Sequence, residues 1–322
     1  MKFRLALALL PLATVATTTL VMSRSSGVLP GEFLVPPNLT SSLPACGQCH
    51  DPLPNANGRV KVTVVPSARS LVAGSPVTVQ VKVSGGPATS SAGFAMETSA
   101  GSFVAGTNSR TTTSGDAITH TDKFGDSWSF GFQAPLTPGL VTWTVVGQKA
   151  DLDLSSTGDS FGYYGPNSDN PGVPLRLFVN ATGAVPFGSG CAGSDEHVPV
   201  LGATTGPALG QPFTLNVCAL PVGAPTFLVL GDSTTTFGSI ALPLDLAIIG
   251  APGCSVRTNH LVVLPLTAAG QGSGGGVAGV TLGLPSDPSL RGKAVQLQAF
   301  VVDAAANGLG ITVSNGLTAT FF

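Results

Sequence analysis

The sequence is poor in charge: of 322 residues, 14 are Lys or Arg and 16 Asp or Glu, together 9%, where about 25% is usual. The basic residues are scattered and the formal net charge is −2, so no basic stripe exists to hold nucleic acid or an anionic membrane surface as the main partner. Uninterrupted helix-forming stretches are lacking too, because 42 Gly and 26 Pro punctuate the chain and disfavour long helices. Past the first two dozen residues no apolar run is long enough to cross a bilayer. What is present is a hydrophobic fraction of 43%, enough to build cores and to exclude a disordered chain. A many-turned β protein fits this balance, and the length predicts about two domains.

Lys2 and Arg4 precede the apolar stretch Leu5 to Met22, in the order of a secretory signal. The expectation is export to the periplasm, cell surface or medium, with residues 1–22 a signal peptide or an N-terminal anchor. That leader is the only expected membrane contact. Residues 23–58 read as an extended, Pro-rich arm. Period-2 alternation then begins: Val60, Val62 and Val64; Val77, Val79, Val81 and Val83; Trp128, Phe130 and Phe132; Val141, Trp143 and Val145; Leu175, Leu177 and Val179. Six or seven such strands between turn clusters predict a β-sandwich over 59–182. Small residues, Gly and Pro between Asn180 and Gly190 mark a boundary, and the β pattern resumes in a second sandwich over 183–322. There Asn315-Gly316 predicts a tight turn that folds Ile311 to Phe322 into a hairpin. The fold class expected is all-β, with two β-sandwich domains.

The strongest chemical signal lies in the arm, where Ala45-Cys46-Gly47-Gln48-Cys49-His50 has the spacing of c-type haem attachment. Two thiols three residues apart can add to the two vinyl groups of one haem, and the adjacent imidazole can ligate the iron as the proximal axial ligand. A Cys46–Cys49 disulfide and a zinc site completed by a distant ligand are the other chemistries open to this cluster. Met96, His120, His197 and His260 are the candidates for a sixth iron ligand. By pattern, His120 is a strand histidine and His197, in Asp195-Glu196-His197, a solvated loop residue. Asp151, Asp153 and Asp159 form an acidic loop that could hold calcium. Leu230-Gly231-Asp232-Ser233 has the look of a hydrolase nucleophile motif, but no strand-to-helix turn or base histidine accompanies it, and no catalytic residues are assigned.

Residues 28 to 180 resemble the choice-of-anchor V domain of exported bacterial proteins, itself similar to the reeler-type immunoglobulin-like fold. The resemblance rests on Pro30-Gly31-Glu32, the Cys46/Cys49/His50 motif, Ile118-Thr119-His120-Thr121, Trp128-Ser129-Phe130, Ala134-Pro135 and Gly139-Leu140-Val141-Thr142-Trp143. It implies an immunoglobulin/reeler-like first sandwich, and it raises His120 as the distal axial iron ligand or a pocket residue. Residues 188 to 322 resemble a domain recurring at the C-termini of exported bacterial proteins. The matching stretches are Gly190-Cys191-Ala192-Gly193, Pro207-Ala208-Leu209-Gly210, Leu242-Pro243-Leu244-Asp245-Leu246 and Gly250-Ala251-Pro252-Gly253-Cys254. That resemblance implies a Cys191–Cys254 disulfide and leaves Cys218 as a buried free thiol or as the partner of one of those two.

The combined expectation is an exported haem c protein for electron transfer or redox sensing at the envelope. Its partner would be an unspecified redox protein or a cell-surface component. The alternative is a non-enzymatic cell-surface or adhesion module with a Cys46–Cys49 disulfide and no haem.

Overall fold

The computed structural model describes Gly27, Leu29 and residues 54–87, 91–122, 124–152, 158–165, 168–169 and 174–322. In the first half the strands are β1 (Val60–Pro66), β2 (Ser70–Val72), β3 (Pro76–Gly85), β4 (Ser91–Thr98), β5 (Ser102–Val104), β6 (Ser109–Thr111), β7 (Ala117–His120), β8 (Ser127–Gln133), β9 (Gly139–Ala150), β10 (Ser160–Tyr163) and β11 (Leu175–Asn180). The second half contributes β12 (Ala184–Phe187), β13 (Val200–Ala203), β14 (Pro212–Leu220), β15 (Pro225–Gly231), β16 (Thr236–Phe237), β17 (Ile240–Ala241), β18 (Leu244–Asp245), β19 (Ser255–Val256), β20 (Val262–Thr267), β21 (Gly276–Gly283), β22 (Ala294–Val302) and β23 (Ile311–Thr320). Single 3-10 turns at Ser194–Glu196, Leu246–Ile249 and Pro288–Leu290 are the only helical pieces among the described residues. The protein is all-β.

Valine alternation makes the first sandwich. In β1 every second residue is buried and the residues between face solvent, and β3 does the same, since successive side chains of a strand point to opposite faces. The register sets Val62 against Val83 and Val64 against Val81, so both strands turn one valine face inward. Sheet order β1-β3-β8-β5 packs on β2-β11-β9-β4-β7-β6, with β10 added to β9. The twelve-residue β9 is the spine of the second sheet: β4 lines one edge, while β11 and β10 share the other. Between the sheets Trp143 meets Phe132 edge to face at 4.9 Å, and Phe94 stacks on Phe130 at 5.5 Å. Burying each such ring stabilises the fold by about 1.5–3 kcal/mol.

The second sandwich pairs β12-β23-β22-β15-β20 with β13-β14-β21. Its core gathers Leu201, Phe213, Leu215, Leu228, Leu297 and Leu317. The hairpin expected at Asn315-Gly316 is absent: β23 continues through both residues, with a bulge in its pairing where Ser314 and Asn315 lie opposite Ala299 of β22. Tertiary demand overrides the turn signal here, because β23 is hydrogen-bonded on both edges, to β12 and to β22. The Asn315 amide is consumed by the Leu201 backbone, accepting from its N–H at 3.0 Å and donating to its carbonyl at 3.1 Å. Gly316 serves close approach rather than a turn: a Cβ there would lie 2.2 Å from the Phe187 ring.

Strand β20 closes one edge of its sheet. Ala268 N–H donates to Ala224 O at 3.1 Å and Thr267 faces Pro225, so strand alternation turns the backbone nitrogen of Pro265 away from β15. The free edge therefore lacks a donor at its centre, the usual protection of an exposed strand.

The two sandwiches meet at a buried polar joint. Asn180, the last residue of β11, donates through Nδ2 to Ser70 Oγ (2.9 Å) and Leu71 O (2.8 Å) and accepts from Ala203 N–H (2.9 Å). Ser70 Oγ donates in turn to Leu201 O at 2.8 Å. Beside this network Phe178 packs with Val200 and Cys218, and its ring fills the space over Gly202.

Candidate functional site

Cys46, Cys49 and His50, together with Asp153 and Pro30-Gly31-Glu32, lie outside the described residues. The remaining candidates fall into three places: a corner around His120, the joint between the sandwiches, and a disulfide-bound lobe of the second.

His120 ends β7, the short strand between β4 and β6. Its Nδ1 lies 3.1 Å from both the N and the O of Phe94 on β4, and its ring is tilted against Phe94 and Trp128 with centroids 6.3 and 6.0 Å away. The arm reaches this corner as well. Gly27 N–H donates to His120 O at 3.0 Å, and Arg110 Nη2 donates to Gly27 O at 2.6 Å. In the tautomer that donates Nδ1–H to the Phe94 carbonyl, the electron pair that could coordinate a metal is on Nε2. Met96 is fully buried in the sandwich core beside these rings, a packing position.

Asp159 is buried, and its Oδ1 accepts from Asp151 N–H at 3.1 Å. Among the described residues no group of three or more His, Cys, Asp or Glu side chains is arranged to hold a metal ion. The Asp232-Ser233 turn is occupied by structure. Asn259 Oδ1 accepts from both backbone N–H groups at 2.9 Å, and Asn259 Nδ2 donates to Asp232 at 2.7 Å.

His197 corrects its sequence reading, because it is buried, 7% exposed, and not a solvated loop residue. Its Nε2 stands 3.1 Å from Ser273 Oγ, whose hydroxyl donates to Asp195 Oδ2 at 2.6 Å. Arg176 of β11 reaches across from the first sandwich and donates through Nη1 to Gly274 O. Burial, foremost, pushes His197 below the ordinary histidine range; Asp195 opposes that shift, Arg176 and Arg69 add to it, and Asp303 opposes it. The three residue types are those of a hydrolytic triad, but the order of contacts is not. A triad carboxylate orients the imidazole through its second nitrogen and leaves the serine proton to the histidine, whereas here the carboxylate takes the serine proton itself. The arrangement ties loops together. Nothing local signalled it, since Ser273 is 76 residues from His197 and each stretch alone reads as a surface loop.

In the second sandwich Cys191 and Cys254 form a disulfide across 63 residues, with S–S 2.04 Å. It anchors a lobe built on β16–β19, where Leu246, Ala251 and Val256 pack around the sulfurs. Among the described residues Cys218 is a free, buried thiol, and burial pushes its pKa up to about 12, which leaves it protonated and inert. His260 is sandwiched between Phe237 and Phe300, at 5.0 and 5.1 Å.

No family model matches the sequence, and no curated protein matches it. Among solved structures, similarity extends to an ICAM-5 D1–D4 ectodomain fragment, with 16% identity and TM-score 0.25 over 81% of this chain and 53% of that one. The Yersinia pseudotuberculosis adhesin InvE aligns at 12% identity and TM-score 0.20 over 84% and 60%. The Escherichia coli adhesin FdeC aligns at 14% identity and TM-score 0.20 over 84% and 66%. The chain thus spans less than two thirds of each of these structures. Likenesses at such TM-scores carry no argument, and the all-β architecture stands on this protein's own sheets.

Proposed function

We propose that the protein is an exported, non-enzymatic module of the cell surface, in which two joined sandwiches present binding surfaces and Cys46 and Cys49 close a small disulfide. The observation that carries this reading is the Cys191–Cys254 bond, because structural disulfides form and persist in oxidising compartments outside the cytoplasm. The leader sequence supports the same compartment. At the joint the polar side chains have a structural use, since Asn180 and Ser70 are spent on backbone groups.

A second reading is favoured by one specific feature, the Cys46-Gly47-Gln48-Cys49-His50 spacing. In it the same module carries one covalent haem c, with His50 as the proximal ligand and His120 as the distal one, for electron transfer at the envelope. One experiment separates the two. The protein is expressed for export with the cytochrome c maturation machinery, beside a Cys46→Ala/Cys49→Ala control, then examined by in-gel haem stain, absorption spectrum and thiol alkylation. The surface-module reading expects no Soret band and no alkylation of Cys46 or Cys49 until a reductant is added. Covalent haem in the parent and none in the control would replace it with the redox reading. His120→Ala should then turn a low-spin spectrum high-spin.

A further inference from the structure

One flank of the joint between the sandwiches is built around a single buried histidine, His197. Asp195 and Glu196 both take left-handed backbone conformations, φ 58° and 60°, which is uncommon for such residues. This sharp turn sends the Glu196 carboxylate to Lys61 of the first sandwich at 2.6 Å and the following His197 ring inward. The ring lies against Gly274, where a Cβ would be 2.5 Å from the imidazole. Ser273, one residue earlier, links that imidazole to Asp195. The Gly274 carbonyl in turn accepts from Arg176 of β11. A neutral His197 therefore sits under the loop segment that Arg176 grips.

The charges around the ring come from every element packed on it. Arg176 of β11 and Arg69, just before β2, are cationic, and the anionic groups are Asp195 on its own turn and Asp303 after β22. Asp303 is already engaged, since its Oδ2 accepts from Ser194 N–H at 2.8 Å and from Ser194 Oγ at 3.0 Å. Asp195 is occupied by the Ser273 hydroxyl. A proton added to His197 would thus place a third positive charge beside two arginines in a site nearly closed to water, where the two nearby carboxylates already have partners.

We propose that this flank is an acid-released latch: with His197 neutral, the loop around Ser273 and Gly274 holds the second sandwich to Arg176, and protonation of His197 frees the loop while the Asn180 network remains as a pivot. The sign follows from linkage. The folded histidine lies below its ordinary value of 6.5, so the latch is fully closed above about that pH and loosens as pH falls through the folded value. The Asn180, Ser70 and Phe178 contacts, made by amide, hydroxyl and ring groups, do not titrate.

The test is hydrogen–deuterium exchange on the whole chain at about pH 7.5 and about pH 5.0, corrected for intrinsic exchange rates. Peptides covering 194–198 and 270–276 should exchange several-fold faster at the lower pH, while those covering β2, β11 and β13 stay protected. His197→Gln should abolish the difference, which also separates His197 from His260, whose burial likewise depresses its titration. Should that variant fail to fold, the imidazole resonances of the parent decide the question, since the chain has only 4 histidines. A His197 signal titrating below the ordinary value, in step with loop exchange, supports the latch. A His197 that titrates at or above that value, or loop exchange unchanged between the two pH values, overturns it.

Discussion

At the scale of single residues the second sandwich leans on one covalent bond. The disulfide removes from the unfolded chain the freedom of a loop 63 residues long, which chain-entropy reasoning puts at about 4 kcal/mol. Cys191→Ser/Cys254→Ser should therefore lower unfolding stability by roughly 2–5 kcal/mol in urea, with the core of β14, β21 and β22 still formed. A loss under about 1 kcal/mol would show that the lobe around Leu246 and Val256 is held by packing alone. The cysteine pairing was legible because both residues sit in recognisable stretches of sequence. His197, Ser273 and Arg176 were not, because each belongs to a different loop or strand and they meet only when the two sandwiches dock. The burial of His197 is a tertiary fact that the polar run Asp195-Glu196-His197 conceals.

At the scale of elements, period-2 patterning was a good guide wherever a strand has one wet face. Alternating valines located β1 and β3, and Trp128-Ser129-Phe130 located β8. It failed where a strand is buried on both faces. β23 is buried at six consecutive positions, so it shows no alternation, and its Asn-Gly pair was read as a turn although neighbours on both sides hold it extended. Edges leave a different mark. Leu261, Val262 and Val263 are exposed on and beside β20, and Pro265 leaves the centre of that apolar edge without a donor. Pro265→Val supplies the missing donor between Val263 and Thr267. It should shift sedimentation toward dimers or larger species, at little cost to the monomer fold. Sedimentation indistinguishable from the parent would mean that the edge is protected by something other than its proline.

At the scale of the whole molecule, the two sandwiches share a joint that neither would have reason to build alone. Phe178 needs a glycine opposite, since a Cβ at Gly202 would come within 2.0 Å of its ring. Gly202→Ala should expel the ring, cost about 1–3 kcal/mol through overpacking, and split one calorimetric transition into two as the halves uncouple. A single transition at the parent temperature would show that the Asn180 network is sufficient for the coupling. The joint's hydrogen bonds were illegible in sequence for a simple reason: Asn180 lies in a stretch whose Gly, Pro and small residues read as a linker, when it is the anchor.

The poverty of charge has a further result once the disulfide is drawn in. Between Arg176 and Arg257 the chain contains no Lys or Arg, and the Cys191–Cys254 bond lies wholly inside that interval. Enzymes of trypsin-like specificity therefore find no peptide bond to cut anywhere within the covalent ring, folded or not. A digest by such an enzyme should leave residues 177–257 as one disulfide-closed fragment, bounded by cuts after Arg176 and Arg257.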